Sequence, residues 1–400
     1  MYILQNIFNK KIYYIIILLL TISIVLLFFV YNKLEFYANF YSKNNKYNKY
    51  KYIIRDDCNY LQSETLMNIL NEIKYNLNYN LYLPCIYEDN DKEYDKFIYD
   101  QNGIYFLIDN TDLMVGKEFL YQIVLNKYGK KKTLTLMPNS WILTDNKDYD
   151  RFLDEFDANK IYIMKKNIQR QNGLKITNNL NDIIKSKKKD EEENYPFVII
   201  QELLQNPYTI RGRKINLRIY VLVVRNQNKS NLYVYSDGFM YYTAELFKKN
   251  SIDDKVNITT GYIDRKVYEE NPLTHNDFKA YLDSDRQYTQ IEKKLIDSNK
   301  NISEYVFNNI YNLITDIFSV FFEKIGNGKK LFNNIKFQLF GCDIAVDDNL
   351  QANIMEINKG PDLGAKDTRD SELKHNLVRN IFKTVGLINN DENNGFIQLL

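Results

Sequence analysis

The sequence predicts an α+β fold preceded by a single N-terminal transmembrane helix. Three observations lead there: a long uncharged apolar run near the amino terminus, short β-like runs mixed with amphipathic helices without regular βαβ alternation, and enough apolar residues among 400 to bury a large core.

The apolar run is Ile12 to Tyr31, free of charge, Pro and Gly and long enough to span a bilayer as a helix. It exceeds the apolar region of a signal peptide and no small-x-small cleavage site follows, so an anchor is expected. Lys10 and Lys11 precede it, whereas Lys33, Lys43, Lys46, Lys49 and Lys51 follow. The positive-inside rule then places the long carboxyl-terminal part in the cytosol. Residues 1–31 are read as the anchor, 32–60 as a polar Asn- and Lys-rich linker, and 61–400 as the folded domain, with parts at 61–150, 151–205 and 206–400.

Within that domain Leu66, Ile69, Leu70, Ile73 and Leu77 recur at helical spacing, and Lys117 to Tyr128 makes a second helix that Gly129 would end. Strand-like runs follow at Ile161 to Met164, Phe197 to Ile200, Ile215 to Val224, Leu232 to Tyr235, Phe337 to Val346 and Ala352 to Ile357. A long helix from about Ser303 carries Val306, Ile310, Leu313, Ile317 and Phe321 and closes at Gly326; a last one runs from Ser371 to Thr384. No internal repeat is visible.

Composition narrows the chemistry. Net charge is +2, and the run Lys187 to Lys189 is followed at once by Asp190 to Glu193, a self-neutralising loop rather than a nucleic-acid stripe. Cys58, Cys85 and Cys342 have no paired spacing, which fits a reducing compartment and excludes a zinc cluster. Only His275 and His375 are present, leaving little room for imidazole chemistry.

The strongest chemical signal is a ribbon. One strand ends in Asp343, a turn follows at Asp347-Asp348-Asn349, and a second strand ends in Glu356-Ile357-Asn358. A hairpin centred between Asn349 and Leu350 sets Asp343 opposite Glu356, with Asn358 on the same face. Facing carboxylates repel, so they call for a hard, oxygen-seeking cation such as Mg²⁺ bridged to phosphates. The alternative is a solvated acidic hairpin end, which Ile344, Val346, Ile354 and Ile357 oppose by marking the ribbon as core. Elsewhere Lys214, Asn216 and Arg218 alternate with Ile215, Leu217 and Ile219, putting two cations on one strand face where phosphate oxygens suit them, or else making an ordinary half-exposed strand. Lys165 ends a short apolar strand before a polar turn with Arg170 and Gly173. Gln201, Glu202, Leu203 and Leu204 form a strand edge whose backbone is able to hydrogen-bond an adenine.

In their order and spacing these pieces resemble the tubulin tyrosine ligase-like family of ATP-grasp enzymes. The matching stretches are Tyr162 to Lys165 with Arg170 and Gly173, Gln201 to Pro207, Gly212 to Val223, Tyr235 to Gly238, and Phe340 to Asp343 through Glu356 to Asn358, within roughly Asp109 to Phe382. The resemblance implies an ATP-grasp fold whose two sheets clamp ATP. By it Lys165 and Lys214 hold the phosphates, Gln201 to Leu204 border the adenine together with Arg170 and Asn216 around the nucleotide, Arg218 faces the acyl end, and Asp343, Glu356 and Asn358 bind Mg²⁺. The implied reaction joins a free amino acid to a protein carboxylate through an acyl phosphate, with Arg218, Lys214 and Glu356 as the catalytic set and no protein nucleophile. Tubulin is the acceptor the family suggests.

Three departures stand against the family pattern: Asn216 where an Asp is usual, Tyr241 where an Arg is usual after Asp237-Gly238, and Asn257-Ile258-Thr259-Thr260 in place of His-Leu-Thr-Asn. Arg265 is a candidate replacement for the missing cation. The departures keep two other readings open, a catalytically silent nucleotide-binding module at a membrane and an ATP-grasp ligase acting on a small carboxylate.

Overall fold

Alternating apolar and polar residues, with β-branched side chains on the buried face, build two sheets, the smaller inserted in the sequence between strands of the larger. The computed structural model describes residues 23, 52–54, 63–73, 80–84, 103–167, 173–191, 196–226, 229–260, 264–325, 335–388 and 394–400. The Ile12–Tyr31 run apart from Ser23, the linker apart from Tyr52–Ile54, Cys58, Cys85, Arg170 and Gly326 lie outside the described residues; Tyr52–Ile54 form a short strand, because three apolar residues in a row suit a sheet better than a polar tether. Among the described residues no helix is long and apolar enough to cross a membrane. Residues 54–400 form one compact unit.

The predicted helix at Glu64–Ile73 and two short strands of the larger sheet, Asn80–Leu83 and Gly103–Tyr105, precede helix α1 (Lys117–Thr133). Gly129, at φ 72° and ψ 167°, breaks the helix as the sequence predicts, and a second short helical stretch then runs to Thr133. A four-stranded antiparallel sheet follows, made of β1 (Ser140–Ile142), β2 (Tyr162–Lys166), β3 (Leu174–Thr177) and β4 (Phe197–Glu202) in the order β1-β4-β2-β3. Helices α2 (Asn146–Glu155) and α3 (Leu180–Glu191) cover one face, where Trp141, Phe152, Tyr162, Met164, Ile183 and Ile200 form a core. Period-2 alternation turns the neighbours of those residues to the other face, which holds Ile161, Ile163, Ile176 and Leu203. Lys187 to Lys189 therefore lie in α3 rather than in a loop, because Leu180 and Ile183 dock that segment on the sheet; the Lys187 ammonium sits 4.7 Å over the Tyr149 ring.

The larger sheet is centred on β5 (Arg213–Asn226), flanked by β6 (Lys229–Thr243) and β7 (Ile335–Val346), both antiparallel to it. Strand β8 (Ala352–Lys359) pairs with the far side of β7 as the predicted ribbon, and Phe396–Gln398 closes against β6. Between β6 and β7 the chain forms α4 (His275–Asp283) and α5 (Ile302–Phe321), the latter capped by Asn301 and buried through Val306, Ile310, Leu313 and Ile317. The last helix, α6 (Thr368–Thr384), begins three residues before the expected Ser371 because Asp367 caps it, accepting from the Asp370 N–H.

Candidate active site

The polar face of β5 and the β7–β8 ribbon meet along one line. Asp343 is opposite Glu356 on one side, as the spacing predicts, and opposite Arg218 on the other. Arg218 forks onto it, Nε donating to Oδ1 at 2.6 Å and Nη2 to Oδ2 at 3.2 Å. Gly341 makes room for this fork, since a Cβ there would come within 2.9 Å of Pro361 and 3.1 Å of Arg218 Cδ. A bulge just after Asp343 leaves Met355 without a Cα partner, and its carbonyl accepts from Lys165 Nζ at 3.5 Å.

Around the two carboxylates stand three cations, Lys117, Lys165 and Arg218, and Lys214 lies beyond them, next to Lys165. Lys165 and Lys214 are only 6% and 3% exposed. Burial lowers both lysines to about 8; Glu356 opposes the shift at Lys165, whereas at Lys214 the further influence is the neighbouring Lys165, and no acid offsets it. Burial raises Asp343 despite Arg218, with the like charge of Glu356 adding to it. At Glu356 burial acts in the same direction but is outweighed by Lys117 and Lys165 and by a hydrogen bond from Asn358, so its carboxyl lies below the ordinary value. Asn358 thus joins the two acids, as expected.

Lys117 escaped the sequence reading as a site residue. Its ammonium lies 3.8 Å from Glu356, placed there by the start of α1. Asn167 escaped it as well: its side chain accepts from the Lys117 backbone N–H at 3.2 Å and donates to both Glu118 carboxylate oxygens at 2.9 and 2.7 Å. The end of the Lys165 strand is thereby clasped to the helix that carries Lys117. The only available signal was the Gly116-Lys117 helix start, which has no local feature pointing to Glu356.

The small sheet turns Lys165 and Gln201 toward the same face as Ile163. Gln201 Nε2 donates to Ser140 Oγ at 2.9 Å, while its buried Oε1 has no partner among the described residues. Glu202 is held by Asn139 and Lys160 at 2.8 and 2.9 Å. Leu203 is buried and Leu204 half-buried, and a cavity of about 770 Å³ lies against Glu202, Leu203 and Leu204, walled by Pro138, Ile161 and Asn353. Asn216 stands opposite Tyr241, and its buried Oδ1 also lacks a partner among the described residues. The Arg218 guanidinium lies 5.2 Å over the Tyr241 ring. Arg265 lines a small cavity with Tyr241, Tyr268 and Lys366, and is ion-paired with Asp367.

The donor set fits a phosphate-bridged hard cation. Among the described residues no three His, Cys, Asp or Glu side chains converge. A cation at Asp343, Glu356 and Asn358 would therefore complete its oxygen shell from phosphate; Lys214, which no acid offsets, suits an anion, and the orphaned acceptor Gln201 Oε1 suits an N–H donor such as a base amine.

The sequence model of the tubulin-tyrosine ligase family matches residues 108–394. The chain is 26% identical over 328 residues to a Caenorhabditis elegans protein named probable tubulin polyglutamylase ttll-9, covering 77% of this chain and 74% of that one. It is 31% identical over 198 residues to the Bos taurus protein named probable tubulin polyglutamylase TTLL9, spanning 49% of this chain and 39% of the relative. With a Drosophila melanogaster protein named tubulin glycylase 3B the identity is 22% over 212 residues, 52% of this chain and 26% of the other. The family match embraces every strand of the site and each residue of the cation and acid line, so the chain belongs to the tubulin-tyrosine ligase family and is a ligase by that membership.

Proposed function

We propose that the protein is an ATP- and Mg²⁺-dependent ligase that joins a free amino acid to a protein carboxylate. The observation that carries the proposal is the pair of buried lysines, Lys165 next to Glu356 and Lys214 next to Lys165, with no acid to offset the second. Buried ammonium groups are costly unless paired, and nucleotide phosphates are the natural partner.

In this reading Lys165 and Lys214 hold the phosphates, Gln201 to Leu204 border the adenine, and Arg170, which follows Lys165 closely in the sequence, meets the nucleotide. Mg²⁺ held by Asp343, Glu356 and Asn358 would neutralise phosphate charge. An oxygen of the acceptor carboxylate attacks the γ-phosphorus, the bond to the bridging oxygen breaks, and ADP leaves. The amine nitrogen of the amino acid then attacks the acyl carbon; phosphate departs with the bonding electrons and the amine sheds a proton. Arg218 faces this acyl end. The chain's own contribution is alignment and charge, which explains why two histidines suffice.

The names of the relatives support tubulin as the acceptor. The expected result is ADP formation by the purified full-length chain that requires ATP, Mg²⁺, an amino acid and tubulin together. ADP formation that never depends on the amino acid, with any protein acceptor offered, would refute the reading.

The Ile12–Tyr31 run is proposed to hold the ligase at a membrane with its catalytic part in the cytosol. The full chain should then sediment with membranes through carbonate extraction, and deletion of residues 1–31 should release it. Full release of the intact chain by carbonate would rule the anchor out.

A further inference from the structure

Charged side chains within residues 112–118 reach both sheets. The chain turns a corner at Gly116, which closes the short helix Asp112–Val115 and opens α1 in an extended conformation, φ −67° and ψ 120°. A Cβ at this corner would come within 2.6 Å of the Phe119 ring. Before the corner, Asp112 is ion-paired with the buried Lys359 at the end of β8. After it, Lys117 lies 3.8 Å from Glu356, also on β8, while Glu118 accepts from Asn167, just beyond the end of β2. Strand β8 belongs to the larger sheet and β2 to the smaller.

A backbone bond from the Ile354 N–H to the Leu136 carbonyl, at 2.9 Å, joins β8 to the segment that leads into β1. Strand β2, which carries Lys165, meets β8 through the long contact of Lys165 Nζ with the Met355 carbonyl, 3.5 Å, and, by way of residues 112–118, through Asn167. Asn167 serves two partners at once: its amide oxygen accepts from the Lys117 N–H and its amide nitrogen donates to both Glu118 oxygens. Order that the empty protein already holds is not charged against binding.

We propose that residues 112–118 are a strap that sets the gap between the two sheets before nucleotide binds, with Glu118 and Asn167 as positioning residues that keep Lys165 next to Glu356. Asp112 and Lys117 fasten one end of the strap to β8, and Asn167 fastens the other to β2. The proposal rests on the nucleotide-binding part of the reading above. A bound nucleotide would itself bridge the sheets, so the strap acts on affinity and leaves the chemical step nearly unchanged.

The test uses the full-length chain and the variants Asn167→Asp, Glu118→Lys and the two combined. Asn167→Asp keeps an acceptor for the Lys117 N–H but sets a second carboxylate against Glu118, and Glu118→Lys leaves a donor facing the Asn167 amide nitrogen. The combination restores attraction at the same place. Each single variant should weaken binding of a non-hydrolysable ATP analogue with Mg²⁺, and raise the KM for ATP, about fivefold, with kcat kept within about twofold, since each contact is exposed and individually modest. The combination should return both quantities to within about twofold of the parent. Equal affinities in all four proteins, or single losses that multiply in the combination, would overturn the strap. Amide exchange of the empty proteins gives a second reading: exchange in residues 117–120 and 162–166 should quicken severalfold in the single variants and recover in the combination. Unchanged exchange in the single variants overturns the strap whether or not nucleotide binds. A parent chain that binds the analogue yet forms no ADP would count against the ligase reading alone, because the strap is read from affinity and exchange.

Discussion

Glu356→Gln is expected to lower ligation about a thousandfold while leaving the fold intact, since a bound metal supplies several kcal/mol of charge stabilisation and each ~1.4 kcal/mol is a factor of ten. The substitution keeps the shape and one acceptor oxygen, so β8 has no steric reason to move. What it removes is one of the two anionic groups available to a cation, and also the charge that faces Lys117 and Lys165. Asp343 cannot replace the lost charge, because its single negative charge is already shared with the Arg218 fork. Initial rates of ADP formation at saturating nucleotide and amino acid check the loss, with the thermal midpoint reporting on the fold. A rate within tenfold of the parent would remove Glu356 from the catalytic set. A parent chain that binds nucleotide yet shows no turnover to lose would favour the silent-module reading instead.

The strands of the site were legible because each alternates. Lys214, Asn216 and Arg218 separate from Ile215, Leu217 and Ile219 by period alone, and the spacing of Asp343 and Glu356 around a turn was enough to place them opposite each other. The resemblance added the order in which these strands are used. Neither route could reach contacts set by non-neighbouring segments. Lys117 meets Glu356 across more than half the chain, and Asn167 meets Glu118 through the docking of a strand end on a helix. The clasp of Arg218 on Asp343 depends on the register between β5 and β7, which no local pattern encodes. The same holds for Asn216 and Tyr241, which become neighbours only after β5 and β6 are paired. Where local propensity misled, packing prevailed. The basic run of α3 reads as a loop but is carried on a helix whose apolar residues dock on the small sheet.

Nucleotide affinity is expected to fall as pH rises through about 8, with protons taken up on binding in the window above it. Lys165 and Lys214 are lowered to about 8 by burial, against 10.5 for an ordinary lysine. In the empty protein both therefore lose their protons well before an unfolded chain would. Between pH 8 and 10.5 the unfolded state binds more protons, so these two groups make the empty fold more stable as pH rises through that window; the cost of holding them charged below it is about 3 kcal/mol each at most. Phosphates reverse the sign. An anionic ligand favours the ammonium forms, raises both pKa values and draws protons in, so each lysine adds up to one proton to the uptake and steepens the loss of affinity. The nucleotide's own phosphates, with a second ionisation near ~6, are already fully charged there and contribute little. Calorimetry at pH 8.5 to 9 in buffers of different ionisation enthalpy measures the uptake directly. Lys214→Met should weaken binding and remove about half of the proton uptake, leaving the share that belongs to Lys165. Proton-independent binding across pH 7 to 9 would mean that neither lysine meets the phosphates, and the line of charge from Lys117 to Arg218 would then need another anion to explain it.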